Sequence, residues 1–487
     1  MKSTLILVTL FLLMSVSSRA ATERVTVSLT GGEPNGSSVV NDITPNGRYI
    51  VFTTGASDLI TGDTNNKQDV YLYNTESDTL EIVSVTDGEA LANGDSYEAS
   101  ISDDGRYVSF TSTATNLADT DTNAATDVFL RDRTLGTTTR ISRSSAGAQA
   151  NGNSSRSAIS GDGSTVAFES AATNLVAGDL NDATDIFIHV PSSNTTSRVS
   201  LSDAEAEIAL DSNRAAISSD GNIVVFETYA AVVAGDTNDT SDIYVRNRSA
   251  ETTIRASIGA AGQQSPNFCA FPDISGDGNL VVFSSRSTTF GLATARTRIY
   301  LKNLTTGAIE HLSVATSGVD GSNDSDGPRI SANGRYVIFG TRSPELVSGD
   351  SNGVDDVVVR DRTLSTTTRV SVSSTGAQSF PPLFTYLGQL FYASDVGLVA
   401  FHSQATDLVT VSPADTIGLV DVFTATVPTS GPVTPPPVDN SALIAKYKAE
   451  IAKLLKQIKS AKKKKKTATV KKLTKKLKSV QGLLNAL

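Results

Sequence analysis

Tryptophan is absent from the 487 residues, and the chain holds only one cysteine and three histidines. Cys269 has no second cysteine to pair with, so no disulfide forms within the chain and stability must come from packing. We interpret Cys269 as a small buried hydrophobe. His189, His311 and His402 lie far apart in the sequence, which leaves Cys269 without an evident base and argues against nucleophilic catalysis.

Long apolar runs are absent after the first residues. Residues 5–16 are apolar, follow Lys2 and precede the segment 17–20, which ends in the small residue Ala20. A membrane-spanning helix needs about 20 apolar residues, so this shorter run predicts a signal peptide, residues 1–20, cleaved after Ala20. We expect a secreted or periplasmic protein, or one attached to the cell surface, with no transmembrane segment after cleavage.

Charge is divided unevenly along the chain. Residues 440–487 contain 15 Lys and one Glu, a net charge of +14, whereas the whole chain carries −10. With the two positive charges of the predicted signal peptide also set aside, residues 21–439 carry −26. An acidic body is therefore followed by a basic tail, and this asymmetry concerns partners and solubility rather than the fold.

A repeat fills the acidic body. Each unit holds four short runs rich in Val, Ile, Phe, Tyr and Thr, separated by Gly, Asn, Asp and Ser, a pattern typical of short strands joined by turns. The second run ends in a phenylalanine, with successive spacings of 58, 58, 58, 57, 56 and 62 residues, at Phe52, Phe110, Phe168, Phe226, Phe283, Phe339 and Phe401. Seven such units predict an all-β fold, a seven-bladed β-propeller over residues 21–427.

The turn between the first and second runs has a constant chemistry. In six units it is Asn-Gly or Asp-Gly, at residues 46–47, 104–105, 162–163, 220–221, 277–278 and 333–334. The seventh unit has Asp395-Val396-Gly397 instead. These dipeptides tolerate positive φ at both central positions, so we expect tight antiparallel hairpins.

The two ends of the repeat predict how the propeller closes. The seventh unit stops after its third run, residues 421–425, and segment 24–28 matches the fourth run of other units, such as residues 369–373. We expect residues 24–28 to complete the seventh blade, because a closed ring leaves no unpaired sheet edge.

The repeat resembles the TolB-like, WD-repeat-like propeller repeats of exported bacterial proteins. The resemblance lies in Ile-Ser-x-Asp-Gly-x-x-Val-x-Phe, as in residues 101–110, and in Asp-Val/Ile-Phe/Tyr-Val/Leu, as in residues 127–130, and it covers residues 24–427. It implies a propeller whose relatives bind proteins or peptides, with one branch acting in maintenance of the bacterial envelope. The chain lacks the α/β domain that precedes the propeller in TolB, so the resemblance does not carry that role.

Five units share the motif Asp-x-Asn-x-x-x-Asp between the second and third runs. Alternating carboxylate and amide oxygens in a tight loop suit calcium, so the motif predicts weak, structural calcium sites. The candidate ligands are Asp63, Asn65, Asp69, Asp121, Asn123, Asp127, Asp179, Asn181, Asp185, Asp236, Asn238, Asp242, Asp350, Asn352 and Asp356. The alternative is structural: the first Asp and the Asn bond nearby amides, and the last Asp fixes the start of the third strand. Unit seven keeps only Asp415 and Asp421, and unit five has Arg298 at the last position.

Strand polarity places these loops on one face. In an antiparallel meander the connection between strands two and three lies on the same side as the link from strand four to the next unit. This face therefore collects long, polar loops, which is where a rigid scaffold usually carries its binding residues. We expect a protein, a peptide or an envelope polymer to bind there.

Enzymatic activity is not expected. Residues 102–105, Ser-Asp-Asp-Gly, superficially resemble the Asp-box of sialidases, but the missing tryptophan removes the aromatic residue that completes that box. Carboxylates recur in every unit, whereas a catalytic pair breaks a repeat at one place. The chain is predicted to be a non-enzymatic scaffold, and the alternative is a secreted propeller hydrolase or lyase acting on glycans.

The end of the chain has a different composition. Residues 428–439 form a Pro-rich linker, and residues 440–487 show apolar residues at helical spacing on both sides of a run of five lysines. We expect an α-helical hairpin or coiled coil that associates chains; the alternatives are adhesion to anionic polymers and docking onto an acidic propeller. Only Tyr447 among aromatic residues accompanies the lysines, which argues against nucleic acid as the partner.

Overall fold

The computed structural model describes residues 22–291, 296–379, 391–409, 418–427 and 456. The chain divides into two compact units, residues 1–428 and residues 429–487. The predicted signal peptide, the linker and, apart from Lys456, the predicted helical tail lie outside the described residues. Among the residues that are described, no helix is long and apolar enough to cross a membrane.

The first unit contains seven four-stranded antiparallel sheets. Its first strand is β1 (Thr22–Arg24). Three blades follow, with strands β2 (Ser38–Ile43), β3 (Tyr49–Thr54), β4 (Asp69–Asn74), β5 (Thr79–Ile82); β6 (Ser96–Ile101), β7 (Tyr107–Ser112), β8 (Asp127–Asp132), β9 (Thr137–Arg140); and β10 (Ser154–Ile159), β11 (Val166–Ser170), β12 (Asp185–Val190), β13 (Thr195–Arg198).

Blades 4 to 6 repeat this order. Their strands are β14 (Ser212–Ile217), β15 (Ile223–Thr228), β16 (Asp242–Asn247), β17 (Thr252–Arg255); β18 (Cys269–Ile274), β19 (Leu280–Ser285), β20 (Arg298–Asn303), β21 (Ile309–His311); and β22 (Ser325–Ile330), β23 (Tyr336–Thr341), β24 (Asp356–Asp361), β25 (Thr366–Arg369). Blade 7 consists of β26 (Phe391–Ala393), β27 (Leu398–Ser403), β28 (Asp421–Thr426) and β1. The predicted seven-bladed propeller is therefore confirmed.

The hydrophobic core lies between neighbouring blades. Leu72 of blade 1 packs with Phe110 and Phe129 of blade 2 in one buried cluster, and each of the other clusters likewise joins two neighbouring blades. In six of the seven blades the repeating phenylalanine stacks on an aromatic residue of the third strand, with ring centroids 5.7 Å apart for Phe52 and Tyr71; in blade 6 Val358 lies opposite Phe339. These buried aromatic residues explain the constant spacing seen in the sequence, because each fills the same gap between two sheets.

The N-terminal strand closes the ring, as predicted. β1 pairs antiparallel with β28, with Thr22 opposite Ala425 and Arg24 opposite Phe423, and the N–H of Val25 donates to the carbonyl of Val422 at 2.8 Å. β2 of blade 1 contacts β26 and β27 of blade 7. The strand, Thr22–Arg24, begins two residues before the predicted segment 24–28, and strand pairing ends at Arg24.

The hairpin turns differ from the expected form. Only the glycine has positive φ, between +70° and +73° in blades 1 to 6 and +80° at Gly397. The residue before it acts as a cap instead: Asp104 Oδ1 accepts hydrogen bonds from Ser102 Oγ at 2.7 Å and from the N–H of Arg106 at 2.9 Å. Glycine is also needed for space, since a Cβ at Gly105 would lie 2.2 Å from Cδ2 of Tyr49 in the preceding blade.

The predicted polar face is present. The loop between β3 and β4 bonds to the link that leads into blade 2, because the N–H of Ser96 donates to the carbonyl of Gln68 and the N–H of Gln68 donates to Asp95 Oδ1. We call this side of the propeller the loop face. The first strands of successive blades contact one another around the ring and line its central channel.

Candidate functional site

The structure brings the members of each Asp-x-Asn-x-x-x-Asp motif together. In blade 1, Asn65 Nδ2 donates to Asp69 Oδ2 at 2.7 Å and to the carbonyl of Ala92 at 3.1 Å, while Asn65 Oδ1 accepts the N–H of Lys67. The asparagine therefore points its amide nitrogen, not its oxygen, at the last aspartate. The same amide donates to the corresponding link carbonyl in blades 2, 3, 4 and 6.

The last aspartate is fixed from a second direction. A serine just after the fourth strand donates to its Oδ1, as Ser84 does to Asp69 at 2.7 Å and Ser200 does to Asp185 at 2.5 Å. Equivalent serines serve Asp127, Asp242 and Asp356. This carboxylate thus joins the loop, the third strand and the end of the fourth strand, as the structural alternative for the motif supposes.

Four of the five loops also contain an arginine from the fourth strand. In blade 3, Arg198 Nη1 lies 3.3 Å from Asp179 Oδ1, 3.1 Å from Asp185 Oδ2 and 2.5 Å from Glu207 Oε1. These three carboxylates are close enough to one another to hold a metal ion, but the guanidinium group already lies among them. It supplies the positive charge that calcium would supply.

The other three arginines take equivalent places. They are Arg140 in blade 2, Arg255 in blade 4 and Arg369 in blade 6, each paired with the last aspartate of its loop at 3.1 to 3.3 Å. In the loops of blades 2, 3, 4 and 6 the structural alternative therefore accounts for the motif without a metal, and the calcium sites there remain predictions.

Blades 5 and 7 depart from this arrangement. In blade 5, Arg298 replaces the last aspartate and donates to Asp320 from Nε at 2.9 Å, and His311 stands in the place of the strand-four arginine. In blade 7, Arg24 from the closing strand lies 3.3 Å from Asp421 Oδ2. Asp415 lies outside the described residues.

Blade 1 differs, because Ile82 occupies the strand-four position and no arginine of the described part of the chain enters its loop. Burial raises the pKa of Asp69 to about 6, and the neighbouring charge of Asp63 adds to the effect. Hydrogen bonds from Ser84 and Asn65 oppose the shift.

The raised pKa of Asp69 predicts a pH dependence in metal-free buffer. An aspartate with a raised folded-state pKa binds a proton more readily when folded, so its contribution to stability is lost as pH rises through about 6. We expect the free energy of unfolding of Asp69→Asn, relative to that of wild type, to be highest at pH 7.5. At pH 5 this difference in free energy should be smaller by about 1 to 3 kcal/mol.

Urea unfolding of both chains, followed by tyrosine fluorescence, measures this difference. The comparison is needed because burial lowers the pKa of His189 to about 4 and of His311 likewise, which acts in the opposite direction in both chains. A difference between the chains that is constant from pH 7.5 to 5 would show that Asp69 does not titrate in this range.

A second set of polar residues lies in the channel. Six of the first strands carry a bulge near the loop face. In blades 2 to 6 the bulged residue adopts φ of +48° to +63°, at Glu98, Arg156, Arg214, Phe271 and Gly327. A non-glycine residue with positive φ is uncommon. These side chains break the repeat at a single structural position, whereas the calcium motif repeats.

Carboxylates of the second strands hold the bulges of the next blade. Glu169 Oε1 accepts the N–H of Arg214 at 2.6 Å, and Glu227 Oε2 accepts the N–H of Phe271 at 2.8 Å. Arg214 also pairs with Glu227 and lies over the ring of Phe271, 4.3 Å from its centroid. Burial raises the pKa of both glutamates. We call Glu98, Arg156, Glu169, Arg214, Glu227 and Phe271 the channel cluster.

Arg156 is held less tightly than Arg214. Its Nε lies 3.6 Å from Glu98 Oε1 and its Nη1 lies 3.7 Å from Glu169 Oε1, both beyond hydrogen-bond distance. The side chain is 48% exposed. Its guanidinium can therefore donate hydrogen bonds to an incoming group without first breaking a short contact.

Deeper residues of the first strands fasten neighbouring blades together. Asp42 Oδ2 accepts hydrogen bonds from Ser100 Oγ and from the N–H of Ile101, both at 3.0 Å, and burial raises the pKa of Asp42 to about 6. Arg329 lies over the ring of Tyr392 at 5.6 Å. These side chains remain partly exposed to the channel while lying deep within the ring.

The end of the channel opposite the loop face is crossed by contacts between the hairpin turns. The N–H of Asp103 donates to the carbonyl of Gly161, and Ser219 Oγ donates to Asp103 Oδ2 at 3.2 Å, which joins blade 2 to blade 4 past blade 3. Gly161 allows this approach, since a Cβ there would lie 2.3 Å from Asp103 Oδ2. The loop face therefore offers the more open approach to the channel cluster.

Comparison with known proteins gives structural matches only. No family model matches the sequence, and no curated protein matches it. The structural neighbours include TolB proteins and other propellers. TolB from Acinetobacter baumannii is 16% identical, with a TM-score of 0.39 over 70% of this chain and 65% of that chain. The chain thus spans less than two thirds of the length of that TolB.

Two further neighbours illustrate the range. The β-propeller domain of the trilobed protease from Pyrococcus furiosus is 11% identical, with a TM-score of 0.47 over 82% of this chain and 100% of that chain. The GH74 xyloglucanase from Xanthomonas campestris is 10% identical, with a TM-score of 0.42 over 78% of this chain and 52% of that chain. The predicted likeness to TolB-like propellers concerns the fold.

Cys269 and His189 are both buried within blades. Cys269 is buried, as predicted, its Sγ lies 3.2 Å from Ser285 Oγ, and burial raises the pKa of the thiol to about 12. A thiol with such a pKa is not a nucleophile at neutral pH. His189, fully buried in blade 3, contacts Thr196 Oγ1 through Nδ1 at 2.8 Å.

Sequence reasoning missed two features of the site. The fourth-strand arginines of blades 2, 3, 4 and 6 were visible in the sequence as a repeating Thr/Ser/Ile-Arg pair, but their position between the aspartates was not. The channel cluster was also missed. Its signal is the contrast at one aligned position, where Val40, Glu98, Arg156, Arg214, Phe271 and Gly327 replace one another three residues before a constant isoleucine.

Proposed function

We propose that the protein is an exported, non-enzymatic scaffold that binds a protein, a peptide or an envelope polymer at the loop face, with the channel cluster as the centre of the binding site. The observation that carries the proposal is that the channel cluster breaks the repeat at one place. Residues that build the fold of a repeat usually recur in every blade, whereas Arg156 and Arg214 occur at this position only in blades 3 and 4, which makes them the candidates for a binding role.

The chemistry of the cluster favours a ligand with a carboxylate. Arg156 is exposed and held only by long ion pairs, and Arg214 is oriented by Glu227 and by the ring of Phe271. Guanidinium groups bind carboxylates with paired, charge-assisted hydrogen bonds. An acidic peptide segment that enters the channel mouth would find these donors above the aromatic surface of Phe271.

Glycan hydrolysis or cleavage is the second candidate. It is favoured by the raised pKa of Glu169 and Glu227, since a glycosidase acid must hold its proton near neutral pH. Each of these carboxylates already accepts a backbone N–H of the next blade, however, which gives it a structural task. Binding is therefore the better supported function.

The basic tail fits this proposal as an attachment device. Its 15 lysines would hold the scaffold to an anionic envelope polymer, or its apolar stripes would associate several scaffolds and so multiply weak contacts. The expected setting is the periplasm or the cell surface.

A comparison of variants tests the binding site. Wild type and Arg156→Ala/Arg214→Ala are used to capture proteins and polymers from envelope extracts, and the dissociation constant is then measured for each ligand that wild type alone retains. Removing two charge-assisted contacts is expected to raise the dissociation constant of such a ligand by about 10- to 1,000-fold. Arg48→Ala, at an exposed residue on the opposite side, is the matched control.

The same experiment separates the alternatives. Equal binding by the double variant and wild type would remove the channel cluster from the proposed site. Capture that is lost only when residues 440–487 are deleted would assign binding to the tail. Turnover of common glycans by wild type that is abolished by Glu227→Gln would establish the enzymatic alternative instead.

A further inference from the structure

The loop of blade 1 is the one Asp-x-Asn-x-x-x-Asp loop among the described blades without an internal arginine. Ile82 pairs with Tyr71 just as Arg198 pairs with Phe187 in blade 3. Leu91 likewise stands where blade 3 has Glu207, the acceptor of Arg198. An apolar pair has thus replaced a polar pair, and the two aspartates remain.

The oxygen atoms left behind face the place that the arginine would take. In blades 3, 4 and 6 the arginine Nη1 lies 3.0 to 3.4 Å from Oδ1 of the first aspartate and 3.1 to 3.3 Å from Oδ2 of the last. The corresponding atoms of blade 1 are Asp63 Oδ1 and Asp69 Oδ2.

Among the residues that the structure describes, Asp63 Oδ1 has no hydrogen-bond partner, although Asp63 is only 7% exposed. The other oxygen, Oδ2, accepts the hydroxyl of Tyr71 at 2.6 Å, which anchors the carboxylate in this orientation. A buried carboxylate oxygen without a donor or a cation is costly, so a positive group is expected beside it.

A third oxygen completes the set. In blades 3 and 4 the arginine Nη2 approaches the carbonyl of the glycine before the first aspartate, at 3.4 Å. Gly62 holds the equivalent position in blade 1. Two carboxylates and a carbonyl are the donors that hard divalent cations prefer, and Gly62 and Asn66 are exposed, so water can reach the loop.

We propose that the blade 1 loop binds one hard divalent cation of the calcium type through Asp63, Asp69 and the carbonyl of Gly62, in the place that arginine takes in the other loops. The ion would do there what a covalently attached guanidinium does in blades 2, 3, 4 and 6. The remaining coordination positions would be filled by water.

Terbium provides a direct probe of this site, because it replaces calcium and its emission is excited by a nearby tyrosine. Tyr71 touches Asp63, and the chain has no tryptophan. The full chain is titrated with Tb³⁺ in excess Mg²⁺, and the ion is then displaced with Ca²⁺. We expect one equivalent to bind. Ca²⁺ at about 100 times its Kd should raise the melting temperature by about 2 to 5 °C.

Four variants give the readout its specificity. Asp63→Asn should abolish both the Tb³⁺ emission and the rise in melting temperature with Ca²⁺. Ile82→Arg/Leu91→Gln installs the arginine and glutamine found in blade 4. It should abolish the same two signals and raise the melting temperature without metal. Tyr71→Phe should lose the emission but keep the Ca²⁺ shift. Asp236→Asn, in the arginine-containing loop of blade 4, should keep both.

Three results would overturn the proposal. One is an emission that Asp63→Asn and Ile82→Arg/Leu91→Gln leave unchanged. Another is a loss of Tb³⁺ emission in Asp236→Asn as large as that in Asp63→Asn, which would indicate diffuse binding by the acidic surface. The third is a melting temperature that does not change with Ca²⁺ but rises at pH 5, which would show that a proton, not a metal ion, neutralises Asp63 and Asp69. Should Asp63→Asn fail to fold, the Ile82→Arg/Leu91→Gln chain still decides.

Discussion

Replacing Arg198 with methionine should lower the free energy of unfolding by about 3 to 5 kcal/mol. The side chain is 8% exposed and lies among Asp179, Asp185 and Glu207. Without it, two buried carboxylates and a third at the loop edge lose their only cationic partner among the described residues. Removing one member of a buried ion pair is costly because the other charge stays behind in a medium that solvates it poorly.

Urea unfolding at pH 7.5, followed by tyrosine fluorescence, gives the free-energy difference. Arg48→Met is the matched control, because Arg48 pairs with Glu76 at 3.1 Å where both side chains are largely exposed. That pair should contribute no more than about 1 kcal/mol. Losses of similar size for the two variants would mean that the buried cluster is no more important than a surface ion pair.

Deleting residues 22–28 should destabilise the propeller by about 5 kcal/mol or more. The deletion removes β1 from blade 7, exposes the edge of β28 and removes the buried side chain of Val25, whose burial alone is worth about 1.5 to 3 kcal/mol. It also removes Arg24 and Thr26, which contact the two carboxylate oxygens of Asp421 at 3.3 and 2.6 Å. Leaving that buried carboxylate without these partners adds about 3 to 5 kcal/mol.

Urea unfolding and limited proteolysis of the deleted chain measure this effect. A synthetic peptide of residues 21–30, added in excess, should restore part of the stability, because it supplies the missing strand to the exposed edge of β28. The same peptide with Arg24 replaced by Ala should restore less. An unfolding midpoint unchanged by the deletion would contradict the role of β1 in closure.

The fold was predictable because each repeat unit places the same kind of residue at the same structural position. Each phenylalanine of the second strand fills the same gap between sheets, so spacing alone counted the blades, and Phe52 and Phe110 are both fully buried. Closure by the N-terminal strand was predictable from the same logic, since Arg24 and Val25 match the end of a fourth strand. The turn geometry was not predictable, because Asp104 caps its own turn through side-chain hydrogen bonds that the composition does not reveal.

The candidate site was predictable only in part. The aspartates and asparagines of each loop lie within seven residues of one another, so the sequence could place them together. Arg198 lies 13 residues beyond Asp185 and reaches it only because the third and fourth strands pair. Whether a loop is neutralised by arginine or left with uncompensated carboxylates, as in blade 1, depends on that pairing.

The sequence by itself determined the blade count, the order of strands, the closing strand and the local composition of each loop, because all of these follow from short-range patterns repeated seven times. Only the tertiary structure decided which charges meet. Arg156 and Glu169 belong to the same blade but to different strands, and Asp103 and Ser219 are 116 residues apart, yet each pair is joined at the channel. The radial arrangement of the first strands brings distant blades to one axis, and no local pattern encodes which side chains it brings together there.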